Sequence, residues 1–144
     1  MPIRRVFEYR SERDQDLLNA YRRQIALTSG LIRLREVMCR VVNSPSSRFW
    51  VSPERAMRVI SSMEQGNRLE GMMRNKRIMF REIYRRVHLL RERPPYRQLP
   101  LVEVVQMVVE QPAPSFYMTP QSAIVIMHHI RKRRKQCNSS ESRS

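Results

Sequence analysis

The sequence predicts an all-α protein made of two related three-helix units, six helices in total, packed about a pseudo-twofold axis. Glycine is scarce, with only three in 144 residues, and runs of alternating β-branched residues are few. Apolar residues recur instead at helical spacing, and one segment of the chain is repeated later. The apolar content of 41% is enough for a buried core, so we do not expect wholesale disorder.

The first unit opens with two helices. Ser11 stands three residues before Asp14, a spacing similar to a capping box, so the first helix is predicted to begin at Ser11 and to end before Gly30. Residues 1–10 are predicted to form an N-terminal arm. A second helix follows over residues 31–43, with a buried stripe of apolar residues. The stripe consists of Leu34, Val37, Met38, Val41 and Val42.

The third helix has a clear start signal. Residues 48–51 (RFWV) are aromatic and β-prone, which predicts an extended link. Ser52 can cap the helix that follows, Pro53 pre-sets the backbone at its first position, and Gly66 ends it. The first unit therefore spans residues 11–66.

The second unit, residues 67–135, follows the same order. Its helices are predicted from Asn75 to the prolines at 94–95, over residues 101–111, and from Pro120 to Lys135. Residues 115–118 form the second extended link. The polar stretch 136–144 is predicted to be a disordered tail.

The two units share a repeated sequence. Residues 36–60 align with residues 103–127 without a gap and with eight identities, whereas chance at roughly 6% per position gives one or two. The extended links 48–51 and 115–118 can therefore pair as a short two-stranded ribbon on the pseudo-twofold axis. The aromatic residues of the links are predicted to pack in the core rather than to stack on bases. These are Phe49, Trp50, Phe116 and Tyr117.

Positive charge is concentrated in particular segments. The formal net charge is +15 and the pI is about 11.3. Residues 68–97 hold ten basic and three acidic residues, residues 131–144 hold six basic and one acidic, and residues 98–130 hold no Arg or Lys. The second copy also replaces Arg55 and Arg58 with Ser122 and Val125. Charge placed in this way predicts a polyanionic partner, with DNA favoured over RNA.

Three basic groups are the candidate nucleic-acid contacts. One is a stripe on the fourth helix, where the basic residues and His88 fall within about 80° of arc, away from the apolar face. Another is the start of the third helix, and the last is the basic run that ends the sixth. The candidate residues are Arg55, Arg58, Arg74, Arg77, Arg81, Arg85, Arg131, Lys132, Arg133, Arg134 and Lys135.

The sequence offers no pattern for catalysis or cofactor binding. It has no glycine-rich phosphate loop and no nucleophile–base constellation. His128 and His129 are adjacent, so on a helix they point about 100° apart and cannot easily share a metal. We therefore expect no enzyme activity, no cofactor and no metal. Cys39 is expected to be a small buried residue.

We interpret the chain as a small DNA-binding protein with a regulatory or architectural role, of the kind found in mobile elements and phages. No apolar stretch approaches the roughly 20 residues of a membrane span, so a cytoplasmic, nucleoid-associated location without membrane contact is expected. Two alternatives remain open: an RNA- or ribosome-associated protein, and a non-enzymatic module that binds an acidic protein. The target sequence and the oligomeric state stay undetermined.

Overall fold

The computed structural model describes the backbone of residues 2–141 and the side chains of residues 9–137. This part of the chain contains six α-helices, one short 3₁₀ helix and no strand, which confirms the predicted all-α class. The α-helices are α1 (Pro2–Leu27), α2 (Leu34–Val42), α3 (Pro53–Glu64), α4 (Arg74–Glu92), α5 (Leu101–Val109) and α6 (Pro120–Glu141). The 3₁₀ helix (Pro94–Tyr96) lies between α4 and α5.

The chain forms two compact units. The terminal unit consists of Met1–Ser44 and Met118–Ser144, and the central unit of Pro45–Tyr117. Helices α1, α2 and α6 pack together in the terminal unit, and α3, α4 and α5 in the central unit. Each unit thus combines two helices of one copy with the last helix of the other. The compact units therefore differ from the sequence repeats 11–66 and 67–135, because each repeat gives its third helix to the other unit.

The central unit is built around a continuous apolar core. Helix α4 contributes the arc that the sequence predicts, with Phe80, Ile83 and Val87 fully buried. Helix α5 buries four valines and contains no basic residue, as expected for a scaffold helix. The remaining core residues come from α3 and from the link that precedes it. The cluster includes Phe49, Val51, Ala56, Ile60, Val104, Val105, Val108 and Val109.

The terminal unit buries one stripe from each of its helices. The stripe predicted for α2 lies inside except for Leu34, and Cys39 is exposed. Helical spacing in the first helix also predicts Ile25 as an inward residue, and it is exposed. The prediction for Cys39 was wrong because the buried face of α2 runs through its neighbour Met38 and leaves position 39 outside. The buried residues include Leu17, Leu18, Ala20, Val37, Val41, Val42, Ala123, Met127 and Ile130.

The two links do not form the predicted ribbon over 48–51 and 115–118. A single antiparallel bridge joins Ser46 to Ala113, with both N–O distances 3.0 Å. Pro45, Pro112 and Pro114 flank the bridge, and proline has no N–H to donate, so the ladder cannot extend through them.

Two helix ends differ from prediction, and two caps are confirmed. Helix α1 begins at Pro2 rather than Ser11, and α6 continues through residues 136–141, because neither stretch contains an interior Gly or Pro. The predicted arm 1–10 is therefore helical from Pro2. Residues 142–144 of the predicted tail lie outside the described residues. The hydroxyls of Ser52 and Thr119 accept the backbone N–H groups of Arg55 (3.2 Å) and Ser122 (3.1 Å).

Candidate nucleic-acid interface

Two of the candidate arginines stand at the start of α3. Ala56 and Ile60 turn into the core, and this orientation leaves Arg55 and Arg58 exposed. Both arginines line an open groove of about 350 Å³ between α3 and the connection that follows it. Val59, Ser62, Asn67, Leu69 and Met72 complete its lining.

The connection from α3 to α4 is held against the side of α3. Asn67 donates from Nδ2 to Ser62 Oγ (2.8 Å) and accepts at Oδ1 from the backbone N–H of Leu69 (2.9 Å). Leu69 has φ +60°, a left-handed conformation that costs a non-glycine residue about 1 kcal/mol. Its side chain is buried in the central core, which offsets that cost. The far wall of the groove is thus fixed in place.

The same connection touches the basic side of α4. Arg81 donates from its guanidinium to the backbone carbonyl of Arg68 (3.5 Å), and the Arg55 guanidinium lies 5.9 Å from the ring centroid of Phe80. Arg74 and Arg77 precede Arg81 on its side of the helix, by two turns and one turn. We call this set the arginine cluster: Arg55, Arg58, Arg68, Arg74, Arg77 and Arg81.

No described carboxylate neutralises the charge of the arginine cluster. Among the side chains described here, no ion pair joins any of the six to a carboxylate. Arg68 is the one member that was absent from the sequence-based candidates. It lies outside every helix, so helical periodicity could not select it, although it opens the basic stretch 68–97.

In the second half of the predicted α4 stripe, Arg85 has an acidic partner within the protein. Arg85 makes two hydrogen bonds to Glu82, of 3.0 and 2.6 Å, and these hold the pKa of that carboxyl below its usual range. His88 Nε2 lies 2.8 Å from Oε1 of Glu64 on α3. The stripe therefore divides into a first half, Arg74 to Arg81, with no described acidic partner, and a second half in which Arg85 is paired with Glu82.

Arg86 was not among the predicted site residues, and its contacts within the protein give it a structural role. Its guanidinium donates to Glu82 (2.9 Å), to the carbonyl of Pro112 (2.8 Å) and to the side chain of Gln111 (3.3 Å). It also lies 4.9 Å from the ring centroid of Phe49. Arg86 thus joins α4 to the first link, at Phe49, and to the segment that follows α5, at Gln111 and Pro112, a role that depends on tertiary contacts.

In the basic run of the terminal unit, too, one residue has an acidic partner while its neighbours are exposed. All five residues from Arg131 to Lys135 are exposed on α6. Arg133 nevertheless forms an ion pair with Asp14 of α1, a buried carboxylate that also binds Arg13 at 3.1 Å. Arg133 therefore holds α6 against α1, while Arg131, Lys132 and Arg134 form no ion pair with the described side chains.

The link aromatics serve packing. Phe49 and Phe116 are buried, and Tyr117 stacks on Phe49 with 6.0 Å between ring centroids, as the sequence predicts. Trp50 is half-buried, with the Arg48 guanidinium 5.4 Å from its ring.

The described residues hold no group of three His, Cys, Asp or Glu side chains placed to share a metal ion. No helix in this part of the chain combines the length and the apolar character of a membrane span. Comparisons of the chain with protein-family models, with curated proteins and with solved structures gave no match.

Proposed function

We propose that this chain is a small, non-enzymatic nucleic-acid-binding protein, with duplex DNA as its favoured ligand. The observation that carries the proposal is the arginine cluster of the central unit. Arg55 and Arg58 line the groove of α3, Arg81 bonds the backbone carbonyl of Arg68 in the connection, and Arg74 and Arg77 lie on the same side of α4 as Arg81. No ion pair joins any of these six to a carboxylate among the described side chains. Like charges held together in this way repel each other, and a polyanion relieves that repulsion.

The arrangement favours contact with phosphates over reading of base edges. The connection flanks the side of α3 that carries Arg55 and Arg58, so α3 does not stand alone as a helix entering the major groove. Guanidinium groups can make bidentate contacts with the phosphates of the nucleic-acid backbone. An architectural role therefore fits the surface better than recognition of one sequence, and we expect affinities that vary little between duplexes.

The test is a salt series with duplex DNA on the parent chain and two variants of equal charge. One variant is Arg58→Gln, Arg77→Gln, Arg81→Gln, within the arginine cluster. The control is Arg91→Gln, Arg93→Gln, Arg97→Gln, at the end of α4 and in the connection that follows it. Losing three phosphate contacts lowers the slope of log affinity against log salt by about two to three. We expect that loss for the first variant only.

Three results contradict the proposal. Equal slopes for the two variants mean that net charge, not the arginine cluster, sets the binding. Tighter binding to structured RNA than to duplex DNA supports the RNA-associated alternative. Negligible binding to both at physiological salt leaves an acidic protein as the partner of the basic surface.

A further inference from the structure

The corner between α1 and α2 exposes a set of large aliphatic side chains. Leu27 and Leu31 have exposed fractions of 80% and 108%, and Ile25 and Leu34 are also exposed. Gly30, at φ +88°, stands in the middle, and a Cβ built on it would meet no atom within 4 Å. We call Ile25, Leu27, Leu31 and Leu34 the apolar corner; Leu27 and Leu31 are its most exposed members.

In the second copy of the repeat, the residues at the equivalent positions are packed rather than exposed. Tyr21-Arg22-Arg23 aligns with Tyr84-Arg85-Arg86, and continuing that alignment matches Leu27 with Leu90. The main alignment continued upstream matches Leu34 with Leu101. Both counterparts, unlike the originals, pack against the core of the central unit.

The connection explains the difference. Between Leu90 and Leu101 the chain has four more residues than between Leu27 and Leu34, and they include the 3₁₀ helix (Pro94–Tyr96) and Leu99. Leu99 also packs against the central core, and backbone hydrogen bonds at Arg93, Tyr96, Arg97 and Leu99 hold the turn inward. The shorter α1–α2 connection contributes one half-buried aliphatic residue, Ile32, and leaves Leu27 and Leu31 exposed.

The charge around the apolar corner indicates the chemistry of its partner. Arg22, Arg23, Arg33 and Arg35 flank it, all are exposed, and residues 17–35 contain no carboxylate. A second copy of this chain would bring the same four arginines against them, which opposes self-association. An apolar surface with a basic rim is complementary to an amphipathic segment that carries acidic residues.

We propose that the apolar corner is a docking site for an acidic, amphipathic helical segment of another protein. The segment would cover Leu27 and Leu31 with its apolar side chains and place its carboxylates against the flanking arginines. The site is separate from the arginine cluster and does not depend on the proposed function.

The probe is a fluorescent synthetic peptide of about sixteen residues, with leucine at every third or fourth position and glutamate elsewhere. A peptide of the same composition in scrambled order is its control. The test variant is Leu27→Ser, Leu31→Ser. The matched variant, Leu89→Ser, Val102→Ser, removes two exposed aliphatic residues of the central unit. Circular dichroism checks that each variant is folded, and Leu31→Ser alone provides a milder substitution at the most exposed position.

The proposal expects the test variant to weaken peptide binding by at least about tenfold, and the matched variant by less than about twofold. The scrambled peptide should bind the parent more weakly, since its leucines share no face. Equal weakening by both variants, or no preference between peptides, would show attraction by charge alone and overturn the proposal. So would leucine-dependent binding to phosphatidylserine–phosphatidylcholine vesicles without peptide binding, or self-association of the parent that Leu27→Ser, Leu31→Ser abolishes.

Discussion

Ser46 and Ala113 are equivalent residues of the two copies, and they bond to each other. The backbone N–H of each donates to the carbonyl of the other at 3.0 Å. Antiparallel pairing of a residue with its own counterpart requires a local twofold relation between the two links. The repeat in the sequence therefore has a direct expression in the hydrogen bonds of the central unit.

Replacing Ser46 with Ala tests the importance of this junction. The buried Ser46 hydroxyl donates to the carbonyl of Arg48 (2.6 Å), so Ser46→Ala leaves that carbonyl without its donor. We expect the free energy of unfolding to fall by about 1–2 kcal/mol in urea denaturation. Ser61→Ala, a mid-helix change without a described side-chain bond, is the control and should change stability by less than about 0.5 kcal/mol. Equal effects would mean that the Ser46 hydroxyl does not stabilise the segment at this junction.

Adjacent arginines on α4 should behave differently. Arg86 binds Glu82 and the carbonyl of Pro112 and lies over Phe49, whereas the side chain of Arg85 is 60% exposed and binds Glu82 alone. Arg86→Gln should lower the free energy of unfolding by about 2 kcal/mol. Arg85→Gln should lower it by less than about 1 kcal/mol. Chemical denaturation of both variants checks the order, and a larger loss for Arg85→Gln contradicts it.

Stability should fall in acid partly through Glu82. Hydrogen bonds from Arg85 and Arg86 hold the pKa of this carboxyl below its unfolded value. A lowered folded pKa means that its stabilising contribution is complete above the unfolded pKa and is lost as the pH falls through the folded pKa. Glu82→Gln should therefore lower stability at neutral pH and flatten the acid side of the stability–pH curve. The measurement is urea denaturation at a series of pH values.

An unchanged acid limb in Glu82→Gln contradicts this assignment. Glu103→Gln is the control, because Glu103 is exposed and has no described ion pair. Its curve should follow that of the parent chain.

Neighbouring arginines in the basic run of α6 should separate into two roles. Arg133 pairs with the buried Asp14, and Arg134 is exposed. Arg133→Gln leaves a buried carboxylate with less compensation and should cost about 1–3 kcal/mol of stability. Arg134→Gln should leave stability unchanged within about 0.5 kcal/mol. Thermal unfolding of the two variants decides between these roles, and equal stability of both would remove the structural role from Arg133.

Most of the helices could be predicted because their signals are local. Ser52 and Thr119 mark helix starts through caps that use neighbouring backbone groups, and the buried arc of α4 follows from its periodicity. The exchange of third helices could not be predicted. Helices α3 and α6 are the equivalent third helices of the two repeats and carry similar apolar stripes. The hydrophobic pattern is therefore compatible with either helix in either unit, and only tertiary packing determines which one is there.

The candidate interface was predictable in part. The basic residues of α3 and α4 follow from charge and helical spacing. Glu82 stands three and four residues before Arg85 and Arg86, a spacing that indicates ion pairs and was available in the sequence. The contact of Arg86 with Pro112 joins segments 26 residues apart. No local pattern reports such a contact.

The central claim is that the arginine cluster contacts nucleic acid. Its most direct test is NMR of the arginine Nε–Hε signals of the isotope-labelled chain during titration with a short DNA duplex. The account predicts that the signals of the arginine cluster, Arg55, Arg58, Arg68, Arg74, Arg77 and Arg81, shift together, while the signal of Arg86 stays in place. Shifts confined to Arg91, Arg93 and Arg97, or no shift at all at saturating duplex, would contradict it.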